Sequence, residues 1–253
     1  MSYKAVISDW NGTLTSATEE GLNKKIGFTL LEDTGKKMIR GNIKDLSLLG
    51  KLIYAAISTK INLSFYKNGK GHLHNVYNAF NFAIRGQDAN YINNIVDDFA
   101  KETISMVNED ILNSIKEVHT NGKYTGILSA AYDRVIRKTL QESNYSDIFD
   151  KIVANTLQTD NDKVVGLTFE IYGRKPEILI HEFFEKEDLR EDNTLYIGDS
   201  EDDEPIADIL KSGNFIVSYF ATEDFKQKLA SKYSAVVPRN KEDFMKYLQS
   251  KEN

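Results

Sequence analysis

Several oxygen-bearing side chains stand directly after short apolar runs, where a nucleophile or a metal ligand would be placed. Asp9 follows the run at 4–8 in ISDWNGTLTS, Ser129 follows the run at 124–128, and Asp199 with Ser200 follows TLYIG; Asp203 lies four residues beyond Asp199 in GDSEDDEP. An aspartate straight after a buried strand, with Gly-Thr three residues on, is placed to attack an electrophile. Carboxylates crowded at one point repel and raise each other's pKa unless a cation sits between them. Oxygen-only ligands with room for waters and a phosphate point to Mg²⁺.

Such residues are 120 and 190 positions apart in the chain, so the scaffold must bring strand ends together. Beyond Gly122 short β-rich runs alternate with helical ones: strands at 124–128, 151–154, 194–197, 215–219 and 235–237, and helices at 133–142 and 176–185 among others. That alternation implies a parallel sheet covered on both faces, with all C-terminal strand ends at one rim. From about 15 to 121 the apolar spacing is helical instead, over 43–65, 76–84, 89–107 and 110–119, with no convincing strand. Gly86 and Gly122 stand just past two of these helices, where a left-handed C-cap favours glycine. The expected fold is α/β: a Rossmann-like parallel sheet core with helices on both faces, formed by 1–15 and 122–253, and an inserted all-helical cap domain over 16–121.

Composition narrows the function. The 253 residues carry a net charge of -6 with both signs mixed, which argues against a partner such as nucleic acid or an acidic membrane surface. The chain contains no cysteine, which removes thiol catalysis and disulfides. The apolar run at the N-terminus is too short for a signal peptide, and that at 52–57 is too short for a membrane span. A cytoplasmic protein acting on a small molecule is expected, of open oligomeric state.

In order and strand context, Asp9-x-Asn11-Gly12-Thr13, Ser129, Lys175 in GRKPEIL, and Gly198-Asp199-Ser200-x-x-Asp203 resemble the four motifs of the haloacid dehalogenase superfamily. The stretch 145–179 is similar to its phosphoserine phosphatase branch, in which a strand and a β-hairpin precede the lysine. The resemblance covers 1–15 and 122–253 and makes 16–121 the cap. It implies a Mg²⁺-dependent phosphatase acting on a small phosphorylated metabolite, with Asp9 as nucleophile forming an aspartyl-phosphate. Ser129, with Ala130 and Thr13, would contact the phosphate, and Lys175 would offset the charge of nucleophile and phosphate. Arg174 is its rival, although a mobile point charge fits a shared site better. The metal would be held by Asp9, Asn11 through its carbonyl, Asp199, and Asp203 as ligand or support. Glu201, Asp202 and Glu204 read as acids complementing a helix N-terminus.

Asn11 departs from the pattern, since many phosphatases of the family carry there an aspartate that protonates the leaving group. An amide does neither acid nor base work, and such assistance is worth about 10²–10⁴-fold. Three outcomes fit: a phosphatase with another proton source, an enzyme restricted to activated phosphates, or a phosphate-binding relic. A dehalogenase would keep Asp9 but has no use for the acidic cluster. Substrate choice is expected in the cap, where Glu19 and Glu20 fall one or two residues late for the family's amino-group reader. The loop at 67–75 reads as solvated, His72 and His74 lack further ligands, and Tyr77, Phe80, Phe82 and Tyr91 recur at helical spacing as cap core.

Overall fold

Strand β1 (Ala5–Ser8) is buried at every position, which suits only an interior strand covered on both faces. It pairs in parallel with β2 (Tyr124–Tyr132) on one side, Ser8 opposite Ile127, and with β6 (Thr194–Gly198) on the other, Ser8 opposite Ile197. Strands β3 (Lys151–Asn155) and β7 (Phe215–Val217) complete a parallel sheet of order β3-β2-β1-β6-β7. The computed structural model describes residues 3–40, 46–67 and 73–250.

Alternate strand residues feed two apolar layers. On one face Val6, Ile127, Leu195, Ile197 and Ile216 pack with α5 (Glu109–Thr120), α6 (Asp133–Glu142) and α10 (Lys241–Ser250). On the other, Ala5, Ile7, Leu128, Tyr196, Phe215 and Val217 meet α7 (Lys175–Leu179), the π-helical turn at Ile180–Glu185 that continues it, α8 (Glu204–Ala207) and α9 (Glu223–Tyr233). Close packing sets Gly126: a Cβ there would lie 2.6 Å from the Phe183 ring and 2.9 Å from Ile7 Cδ1. Helix α5 starts where Asn108 accepts from the Ile111 N–H, and α9 where Thr222 accepts from Phe225.

Contacts divide the chain into two compact units. One comprises Met1–Thr18, Lys101–Asn155 and Glu170–Asn253; the other Glu19–Ala100 with Thr156–Phe169. The second contains α1 (Glu19–Ile39), α2 (Leu46–Lys67), α3 (Leu73–Ile84), most of α4 (Ala89–Thr103), and a hairpin of β4 (Leu157–Asp160) and β5 (Lys163–Leu167). The hairpin turn places Asn161 and Asp162 at positive φ, as a tight two-residue connection requires. Hydrogen bonds join it to the helices: Asn81 bonds both the Leu167 N–H and carbonyl at 2.7 and 3.0 Å, Gly86 donates to Val164 at 2.8 Å, and Arg85 Nε donates to Val165 at 3.0 Å.

These units differ from the expected division at 16–121 and 122–253. Residues 101–121 belong with the sheet, because Ile111, Leu112, Ile115 and Val118 of α5 bury into its core. The hairpin belongs with the helices, whose backbone partners it supplies, so this unit is not purely helical. Gly86 and Gly122 adopt the expected positive φ, +83° and +76°. The run at 235–237 forms a single bridge, Ile216 with Val236, in place of a strand. The expected helix over 89–107 ends at Thr103 and continues as a 3₁₀ turn, Ile104–Met106. Among the described residues no helix is long and apolar enough to cross a membrane.

Candidate active site

The C-terminal ends of β1 and β6 bring Asp9 and Asp199 together through two glycine-dependent approaches. After Asp9 the chain turns on the Trp10 carbonyl, which accepts from Leu14 and Thr15, while the Gly12 N–H donates to Thr15 at 2.7 Å. Gly12 has φ +73°, and a Cβ there would sit 2.1 Å from Asp199 Oδ2. Any side chain at 12 would therefore be strained and would displace a carboxylate. A Cβ on Gly198 would lie 2.6 Å from Asp203 Cγ.

One oxygen each of Asp9, Asp199 and Asp203 lies within 4.8 Å of the other two. Lys175, 2% exposed at the start of α7, supplies the opposing charge: its Nζ is 2.7 Å from Asp203 Oδ1, 3.2 Å from Asp202 Oδ2 and 3.3 Å from Asp9 Oδ1. Desolvation would lower the lysine's pKa, yet the three carboxylates outweigh it and hold the ammonium well above its usual value. Asp203 is saturated by protein donors: Tyr196 OH at 2.8 Å on Oδ1, and the backbone N–H groups of Asp199 and Ser200 at 3.1 and 3.4 Å on Oδ2. Asp9 Oδ1 is different, since its contact with Lys175 lacks hydrogen-bond alignment and leaves a buried oxygen without a hydrogen-bond partner. A buried carboxylate oxygen in that state suits a cation or an incoming electrophile.

Burial pushes Asp9 up to about 7, against the pull of Lys175, with Asp203 adding repulsion and the Ser129 hydroxyl and Trp10 N–H easing it. Asp199 rises to about 8, from burial and then from the charges of Asp9 and Asp203. Both values exceed the unfolded aspartate value of about 3.9, so in the cation-free state the folded chain binds more protons than the unfolded chain. The stability they contribute is complete below that unfolded value and is lost as pH rises through about 7 and 8. The melting temperature of EDTA-treated protein should thus fall between pH 5 and pH 8.5, and the gain on adding Mg²⁺ should grow over the same interval. Scanning fluorimetry at both pH values decides; an equal gain at each would contradict a cation-relieved acidic cluster.

The structure settles several positions left open by sequence. Lys175 enters the cluster, whereas Arg174 pairs on the surface with Glu177 at 3.0 Å. Ser129 is buried inside β2, which continues past the expected 124–128 to Tyr132. Thr13, expected at the phosphate, gives its hydroxyl to Asp199 Oδ1 at 3.0 Å. The Ala130 carbonyl accepts from the Asn155 amide. Asn11 is partly buried in the turn, bridged to Thr15. Asp202, read as a helix-end acid, instead bonds the Gly173 N–H at 3.0 Å and pairs with Lys175, because it lies in the loop ahead of α8. Glu204 pairs with Lys228 and Lys232 of α9, and Glu201 is exposed.

Tyr196, Ser218 and Asn155 were not singled out by sequence. Ser218 donates to the Gly12 carbonyl at 3.1 Å and so braces the turn that follows Asp9. Asn155 directly follows the run expected as a strand at 151–154, the signal that flagged Ser129; Ser218 follows β7 as observed but falls inside the longer run expected at 215–219, so strand ends read from sequence find only Asn155. In the second unit Tyr77 is buried against Phe169, centroids 3.9 Å apart, and Phe80 is buried, but Phe82 is exposed beside Tyr54 and Tyr91 bonds Asp33. Glu20 is exposed and pairs with Lys24 at 2.8 Å. Residues 68–72 of the loop, with His72, and the side chain of His74 lie outside the described residues.

The fold and the acidic rim together define an α/β protein with a candidate cation site at the carboxyl edge of a parallel sheet. A family model for haloacid dehalogenase-like hydrolases matches residues 6–208, and the chain belongs to that family. A search of curated proteins by sequence finds no match. Among solved structures, a substrate-bound phosphoserine phosphatase complex is similar at TM-score 0.61 and 16% identity, over 98% of this chain and 99% of that one. A predicted phosphatase from Clostridium acetobutylicum gives TM-score 0.56 and 17% identity, over 99% and 100%. A haloacid dehalogenase family hydrolase from Salmonella enterica subsp. enterica serovar Typhi gives 0.60 and 13% over 90% of this chain, which spans 66% of that one.

Proposed function

We propose that this chain is a phosphatase for a small phosphorylated metabolite, working through an aspartyl-phosphate on Asp9 and restricted to leaving groups that depart as stable anions. The observation that carries this reading is the buried Asp9 Oδ1, without a hydrogen-bond partner beside Lys175, on a carboxylate clustered with Asp199 and Asp203. The Asp9 carboxylate attacks phosphorus, the bond from phosphorus to the leaving oxygen breaks, and that oxygen carries away the electron pair. Water then cleaves the acyl phosphate, releases inorganic phosphate and restores Asp9. Lys175 offsets the charge of both carboxylate and phosphoryl group, and Ser129 with the Ala130 backbone holds the phosphoryl oxygens.

The donor set fits Mg²⁺: Asp9, the Asn11 carbonyl and Asp199 would hold it, and it would supply neutralising charge to the phosphoryl oxygens. Asp203, saturated by Tyr196, Lys175 and backbone donors, supports Asp199 and Lys175, and Thr13 orients Asp199. Asn11 contributes no proton, so no group at that position assists an alkoxide. Similarity to phosphoserine phosphatases does not extend the reading to phosphoserine, because Glu19 and Glu20 fall one or two residues late for the family's amino-group reader. Asn11 alone favours a second reading, a phosphate-binding protein with negligible turnover.

Purified protein should release phosphate from acetyl phosphate and p-nitrophenyl phosphate only with Mg²⁺, EDTA should stop it, and BeF₃⁻ with Mg²⁺ should occupy Asp9. Absence of Mg²⁺-dependent turnover while BeF₃⁻ still binds would establish the second reading. Halide release from a 2-haloacid in EDTA would replace both.

A further inference from the structure

The rim end of β3 carries a buried amide whose partner is the expected phosphate turn. Asn155 is the last residue of β3 and is 1% exposed. Its Nδ2 donates to the Ala130 carbonyl, and its Oδ1 is buried without a partner. Chemistry decides the orientation of the amide, since a carbonyl only accepts and the NH₂ must face it.

Opposite this amide the two strands lose register. Ser129 pairs with Ala154, but the next pair is Tyr132 with Asn155, so Ala130 and Ala131 bulge from β2 without partner residues on β3. Two side chains restrain the bulge: Ser129 Oγ accepts from the Ala131 N–H at 3.2 Å, and Asn155 holds the Ala130 carbonyl. Bulges beside sites re-aim the groups they carry. Leaving a buried acceptor unpaired destabilises the fold, which sequence selection for packing alone would remove by an apolar residue. Here the donor end is what the position requires.

We propose that Asn155 is the positioning residue of the phosphate-binding turn: by holding the Ala130 carbonyl it sets the plane of the Ala130–Ala131 peptide and, through the Ala131 N–H, the direction of the Ser129 hydroxyl. This rests on the reading of Ser129 and Ala130 as phosphoryl contacts. Asn155 acts through the turn and touches no reacting atom.

The test compares wild type with Asn155→Ala and with Asn155→Asp, which keeps volume but replaces the donor by an acceptor. Three quantities are read: inhibition by orthovanadate with Mg²⁺, the Mg²⁺ concentration for half-maximal activity, and amide hydrogen exchange across 127–132. Both variants should bind vanadate about 10-fold more weakly, as the loss of one buried hydrogen bond implies, with half-saturating Mg²⁺ unchanged and faster exchange confined to the turn. Unchanged vanadate affinity in both variants overturns the proposal, as does a parallel loss of vanadate, Mg²⁺ and exchange protection throughout the chain. A wild-type protein blind to vanadate defeats the phosphatase reading instead; turn exchange then decides this inference alone, faster in the variants supporting it and unchanged overturning it.

Discussion

Asp9→Asn should abolish phosphate release, lowering kcat by about 10⁴-fold or more, because the substitution removes the proposed nucleophile while nearly keeping its shape. The variant should remain folded. Lys175 retains Asp203 at 2.7 Å and Asp202 at 3.2 Å, and the cluster loses one of three mutually repelling carboxylates. For that reason the cation-free variant should melt higher than wild type above pH 8, where Asp9, held up to about 7, is otherwise ionised inside the cluster. Acid-quenched wild type incubated with acetyl phosphate should carry a phosphoryl adduct on Asp9 by mass spectrometry, and the variant none. Equal turnover by the two proteins would remove Asp9 from the chemistry. Equal inactivity with retained BeF₃⁻ binding in wild type would leave only phosphate binding.

Asn11→Asp runs in the opposite direction and should raise activity. It supplies at the family's acid position a carboxyl that can protonate a departing alkoxide and then accept a proton from water. Turnover of alkyl phosphates should rise by about 10²-fold, the lower end of what general acid–base assistance contributes. In kcat/KM, which reports only transfer to Asp9, acetyl phosphate and p-nitrophenyl phosphate, whose leaving groups need no proton, should change little. The diagnostic is a plot of log kcat/KM against leaving-group pKa over a series of phosphate esters: steep in wild type, shallow in the variant. Parallel slopes would mean that another group already delivers the proton. A lower rate for every ester would mean that the partly buried turn tolerates no further charge beside Asp9 and Asp199.

Much of the architecture was legible because it is written in local patterns. The helix Asp133–Glu142 coincides with its expected span, and β1, β3 and β6 each fall within one residue of theirs. An apolar run of four or five residues is too short for a helix of ordinary length, and β-branched residues such as Val6, Ile7, Ile152, Val153 and Ile197 favour the strand. The unit boundaries were less legible. Whether the hairpin belonged with sheet or helices depended on Asn81, Arg85 and Gly86 meeting its backbone from 78 to 86 residues away, and no periodicity records a hydrogen bond of that span.

By itself the sequence determined which chemistry was available: an aspartate after the first strand, an acidic pair after a later one, a lysine ahead of a helix, and an amide where a proton donor would stand. Those are covalent facts, and the sheet carries its strand ends to one rim because all five of its strands run the same way. Only tertiary structure decided the partners. It chose Lys175 over Arg174, took the Thr13 hydroxyl for Asp199, drew Asp202 onto the lysine and set Asn155 against the Ala130 carbonyl. Each of those choices turns on shifts of an ångström or two in register, bulge and burial, and a hydrogen bond weakens steeply over that distance.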